Sequence, residues 1–169
     1  MSTISMYRAS VPVFARMLGS LDTILDKAIA YADAKKIDHN ALLHARLAPD
    51  MLHFTRQVQI ASDNAKGCVG RLAGVEIPKF EDTEASFADL KARLAKTIAF
   101  LNSIKPEQIN GSEEKAIKLQ VGPNSLEFTG LDYLLNFATA NVYFHVTTAY
   151  DILRHNGLEI GKRDFLGAR

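Results

Sequence analysis

The side chains able to do chemistry gather on the second and the last of four helical patterns, and His145 is the first among them. It lies in an otherwise apolar seam, between Val142 and Ala149 at helical spacing. A buried imidazole left without a partner costs about 1–3 kcal/mol, so something must hydrogen-bond it. Asn141 is one turn earlier on the same face, and Thr148 follows three residues later. On the second pattern Gln59 lies beside the seam residue Val58, within reach of the same pocket, with Arg56 and Asp63 flanking it at helical spacing. A divalent transition metal takes three or four ligands from His, Asp, Glu or Cys. The neutral carbonyls of Asn141 and Gln59 suit hard ions better than zinc. Ligand chemistry therefore favours a hydrogen-bonded core histidine in a polar network, with metal ligation by His145 as the alternative.

The remaining candidates have plainer explanations. His39 and His44 fall in or near a loop and His53 on the first turns of the second pattern, where each reads as a solvated polar residue. Arg154 and His155 close the last helix, where cations favour the C-terminal dipole. Cys68, the single cysteine, sits among Ala65, Val69 and Leu72 and reads as a small core hydrophobe. No glycine-rich phosphate loop, nucleophile elbow, HExxH or CxxC occurs.

Four helices must position these groups. The first is expected over Ser10 to Lys35, with Ser10 as N-cap, Pro12 in its first turn and Met6–Tyr7 in a separate lead-in; Phe14, Leu18, Leu21, Leu25, Ala28 and Ala32 form its seam. A polar connection around His39 allows a short turn through Leu42 and Leu43. Pro49 then starts the second helix, which runs to Ala73 on a stripe of Phe54, Val58, Ala61, Ala65, Cys68 and Leu72, with Gly74 as the stop. The third is expected from Asp82 or Thr83 to Ser103, burying Phe87, Leu90, Leu94, Ile98 and Leu101.

A period of two follows. Ile117, Leu119 and Val121 alternate with Lys118 and Gln120, then come Gly122-Pro123-Asn124, Leu126 and Phe128: a short β-hairpin that must lean on the bundle. The last helix is expected from Thr129 to His155, capped by the Thr129 hydroxyl and ended by Gly157. No Asp, Glu, Lys or Arg occurs from Tyr133 to Tyr150. Asn136, Thr139, Asn141, His145, Thr147 and Thr148 are too polar for a membrane span, so burial on more than one side is expected. Leu131, Leu135, Ala138, Val142, His145, Ala149 and Ile152 would enter the seam. Phe137, Tyr143, Phe144 and Val146 would be covered by the N-terminal segment, the hairpin or a second subunit, and a homodimer is the working expectation.

The 169 residues fit one domain, with 47% hydrophobic and 23% charged residues. A formal charge of +1 gives no general attraction to nucleic acid or membranes, and the short basic tail Gly161–Leu166 reads as a docked terminus. A lone thiol, with no signal pattern in Met1–Ser20, leads to a cytoplasmic expectation.

The arrangement resembles the DinB-like (YfiT-like) superfamily: an all-α four-helix bundle with a long connection before the last helix, here holding the hairpin. More closely, ASVPVF (Ala9 to Phe14), RLAPDM (Arg46 to Met51), RQVQIASDNAKG (Arg56 to Gly67), FTGLDYLLNFA (Phe128 to Ala138), YFHVTTAYDILRHNG (Tyr143 to Gly157) and GKRDFLG (Gly161 to Gly167) are similar to the family known as domain of unknown function 1993. The resemblance covers nearly the whole chain. It implies the superfamily's divalent metal, such as nickel or zinc, held by one histidine of helix two and a His-x-x-x-His pair of the last helix. Laid on this chain those positions fall on Gln59, Asn141 and His145, with one histidine kept of three. The expectation is a small-ligand-binding or non-enzymatic dimer with a degenerate metal site. The alternative is a divergent metal-dependent transferase or hydrolase recruiting His53 or Asp63.

Overall fold

The computed structural model describes residues 4–167, apart from the side chain of Val121. Four long helices form the bundle: α1 (Met6–Lys35), α3 (Phe54–Ala73), α4 (Phe87–Ser103) and α6. Helix α6 runs unbroken through Gly130–Asp132, a π-helical Tyr133–Ala138 and Thr139–His155. Shorter pieces join them: α2 (His39–Leu43), α5 (Pro106–Ile109), the strands β1 (Ile117–Val121) and β2 (Asn124–Phe128), and α7 (Lys162–Leu166). Around the ring α1 neighbours α4, α4 neighbours α3, α3 neighbours α6, and α6 closes on α1. The α3 and α4 starts meet through Phe54 and Phe87, and the α1 and α6 ends through Tyr31 and Asn156. His145, late in α6, meets Gln57, early in α3. The run is therefore up, down, down, up.

The seams of α1 and α3 are buried as their spacing predicts. Helix starts differ. Ser5 caps α1, its Oγ accepting from Arg8 N at 3.3 Å, while Ser10 is buried inside the helix and donates to Met6 O at 2.7 Å. Met6 and Tyr7 thus belong to α1. Pro12 stays inside because it lies on the exposed face, away from the core. Pro49 does not start α3; it lies in a connection closed by Phe54 N to Ala45 O (2.9 Å) and Arg46 Nη1 to Met51 O (2.6 Å). Helix α4 starts at Phe87, not Asp82 or Thr83. Ser86 Oγ accepts from Asp89 N (3.1 Å), and the Asp89 carboxylate accepts from Ala85 N (3.1 Å), while Asp82 is held by Arg56 and Arg93.

The hairpin pairs Ile117 with Phe128 through Val121 with Asn124, antiparallel. It leans on the bundle through buried Ile117 and Leu119 and through Phe128, packed on Phe137 (5.3 Å) and Tyr133 (5.8 Å). Thr129 Oγ1 caps α6, accepting from Asp132 N at 3.3 Å. Gly130 follows because a Cβ there would lie 1.9 Å from Ser112 O.

The π-helical stretch corrects the expected faces of α6. Its wider turn shifts the phase of everything before Ala138 relative to the α-helix after it. Tyr133 and Leu134 are buried in place of Leu131 and Leu135, which are 42% and 49% exposed. Farther on, Ala138, Val142, His145, Ala149 and Ile152 enter the core as expected, joined by Val146, placed by simple periodicity on the outer face.

Candidate functional site

His145 is buried, and its Nδ1 lies 2.7 Å from Gln57 Oε1. The Gln57 amide is held at its other end, where Nε2 donates to Leu52 O at 2.9 Å. A carbonyl only accepts, so the amide nitrogen must face Leu52 and the amide oxygen His145. Nδ1 therefore carries the proton and donates it, leaving the Nε2 lone pair free to accept. Nε2 has no hydrogen-bond partner among the described residues. Burial pushes the imidazole pKa below its ordinary value, so the ring is held neutral. The arrangement presents one fixed acceptor nitrogen, suited to a hydrogen bond from a ligand hydroxyl or N–H. Phe144, exposed beside it, turns its ring edge-on at 5.2 Å.

The trio of Gln59, Asn141 and His145 is not brought together. Gln57 and Gln59 both stand on α3, but two residues separate them by about 200° around the helix. Gln59 is drawn the other way: its Oε1 accepts from Arg56 (2.7 Å) and its Nε2 donates to Glu84 (2.7 Å). Asn141 Nδ2 donates to Phe137 O (2.7 Å), and Thr148 Oγ1 to Phe144 O (2.8 Å), each within its own helix. The other two pocket candidates on α3, Arg56 and Asp63, belong with Gln59 to a separate charged network.

Arg93 of α4 is the centre of that network. Its side chain is 1% exposed and meets Asp63 at 2.8 Å, Glu84 at 3.0 Å and Asp82 at 3.1 Å. Arg56 pairs with Asp82, Lys66 with Asp63 (2.8 Å), and both Lys66 and Arg93 stand over the Phe80 ring. Burial alone would raise the Asp82 carboxyl; hydrogen bonds and charge from Arg56 and Arg93 hold it below its usual range. These pairs fasten the connection from Gly74 to Ser86 against α3 and α4. Sequence reading passed over Gln57 and Arg93. A signal existed for Arg93, which lies among Leu90, Leu94 and Thr97 on the buried face.

The other histidines divide. His39 pairs with Asp33 (2.9 Å) and packs edge-on against Phe87 (5.4 Å), and His44 Nδ1 reaches Asn40 O (2.9 Å). His53, the N-cap residue of α3 one turn before Gln57, lies 5.4 Å from His44 ring to ring. Its Nδ1 is sealed without a partner, and burial first, then the charges of His44 and Arg46, lowers its pKa. Cys68 is fully buried, which pushes its thiol far above the usual range.

A divalent metal does not fit the donors around His145. The Gln57 amide is committed at both ends, Gln59 faces elsewhere, and no group of three His, Cys, Asp or Glu residues among those described is placed to hold a metal ion. No helix among the described residues is long and apolar enough to cross a membrane.

Comparison with known proteins agrees with this architecture. A solved DinB family member protein from Shewanella denitrificans is 41% identical, with a TM-score of 0.87 over 96% of this chain and 92% of that one. No curated protein matches. The family model described as domain of unknown function (DUF1993) matches residues 6–166, and the chain belongs to that family, in the DinB-like fold.

Proposed function

We propose that this chain is a small-ligand-binding, non-catalytic bundle in which a neutral Gln57–His145 pair stands where the superfamily resemblance expects a metal centre. The observation that carries the reading is the double commitment of Gln57, to His145 Nδ1 and to Leu52 O. It makes His145 a directed hydrogen-bond acceptor, with the exposed Phe144 ring edge-on beside it. The protein works as a homodimer in a reducing compartment such as the cytoplasm, in keeping with one buried thiol. A two-fold interface opposes a surface to its own copy, so the uncharged face of α6 brings no like charges together.

Elemental analysis of protein purified without a histidine tag tests the reading, before and after incubation with excess nickel or zinc. No stoichiometric metal is expected, and His145→Ala leaves metal content unchanged. Stoichiometric metal lost in His145→Ala would sink the reading in favour of a metal-dependent transferase or hydrolase. The sealed, unpaired His53 Nδ1 is the observation that favours that second reading; Asp63 is less free for the part, being bound to Arg93 and Lys66.

A further inference from the structure

A concavity that His145 does not line lies where α7 folds back over α1. It is a half-open groove of about 950 Å³, with Tyr143 of α6 at its edge. Met17 is buried at its floor, while Val13, Tyr143 and Phe165 form partly exposed apolar walls. Its size and lining match those of small-molecule sites, which are mostly apolar with a few polar groups to orient the ligand.

The charges around it are unequal. Lys27 and Asp164 neutralise each other at 2.6 Å. Arg16 and Arg163 remain, and neither makes an ion pair among the described residues. Arg16 uses Nε to hold Leu166 O at 3.0 Å, which fixes the guanidinium at the groove while leaving its other nitrogens uncommitted. Arg163 is exposed on α7. Two guanidinium forks beside an apolar trough complement a molecule with an apolar body and one anionic head, since the fork matches a carboxylate in two parallel hydrogen bonds.

We propose that this groove binds an acyl or similar apolar chain ending in a carboxylate, with the chain along Val13, Met17 and Phe165 and the head between Arg16 and Arg163. The site is independent of the Gln57–His145 pair, and either reading stands if the other fails.

Calorimetric titration of the whole chain with submicellar decanoate, decyl phosphate and decanol tests it. Decanoate binds at one saturable site, more tightly than decanol, and half-molar salt weakens it. Arg163→Gln removes a charge that makes no ion pair among the described residues. It lowers decanoate affinity about two- to fivefold and leaves decanol unchanged. Val13→Trp fills the trough and abolishes both, with an unchanged melting temperature showing that the bundle is intact. If Val13→Trp unfolds the protein, decanoate-induced shifts of Met17 and Phe165 resonances in the unmodified chain locate the ligand instead. Three results would overturn the proposal: no saturable binding of decanoate at millimolar concentration, binding indifferent to Arg163→Gln, or shifts confined to another surface. Binding of decyl phosphate without decanoate would overturn the carboxylate assignment.

Discussion

His145 is held neutral by burial, and that has a sign in the stability. A histidine whose folded pKa lies below its unfolded value of 6.5 leaves the folded state with fewer bound protons than the unfolded one. Stability contributed by the neutral ring is complete above pH 6.5 and falls as pH drops from there to the folded pKa. His53 shifts in the same direction, so the difference between the parent chain and His145→Asn isolates the residue. The parent should lose more stability than His145→Asn in urea melts just below pH 6.5. Gln57→Glu reverses the effect by placing a carboxylate on Nδ1: the His145 resonance should then titrate above 6.5, and its stabilisation fades as pH rises through that value. A His145 resonance already titrating above 6.5 in the parent would contradict a ring held neutral by burial. The residue was legible in the sequence as a polar group in an apolar seam. Its partner was not, because Gln57 and Gln59 are equally plausible by type, and only the rotation of α3 against α6 decides which faces the ring.

At the scale of elements, the connection between α3 and α4 has little secondary structure of its own and is held by charge. Arg93 is the buried cation among three carboxylates of which Asp63 and Asp82 are about 40% exposed. Removing one partner of a buried pair is strongly destabilising; the exposure of those carboxylates reduces the cost. Arg93→Met should therefore lose about 2–3 kcal/mol and speed amide exchange across residues 75–86. Lys91→Met, which breaks pairs with Asp22 and Asp26 nearer the surface, should lose under about 1 kcal/mol. Equal losses would show that the Arg93 cluster is not what fastens the connection. Element types were readable along the chain because their apolar periods differ, 3.6 in the helices and two in the hairpin. Helix starts were less so: Ser5 and Ser86 win through local hydrogen bonds that many serines offer on paper. The π-turn at Tyr133–Ala138 left no periodic mark, since it changes the period itself.

Across the whole molecule, α6 leaves Leu131, Leu135 and Phe144 exposed along a helix with no charge between Tyr133 and Tyr150. The homodimer proposed above buries this face, and Leu135→Glu with Phe144→Glu should convert it to a monomer without a fall in melting temperature beyond that of subunit dissociation. Light scattering at tens of micromolar reads the outcome; a monomeric parent would remove the dimer. At the other side α7 docks on α1 through Arg16 to Leu166 O and Lys27 to Asp164, which shapes the groove between them.

By itself the sequence determined the bundle, the hairpin before the last helix and the burial of His145, because burial follows the spacing of apolar side chains along one chain. Tertiary structure alone decided that Gln57 and not Gln59 meets His145, that Arg56, Gln59 and Asp63 serve a different network, and that a groove opens between α1 and α7. Each of these depends on how helices far apart in sequence are rotated against one another, and hydrogen bonds select among rotations that hydrophobic spacing leaves nearly equal.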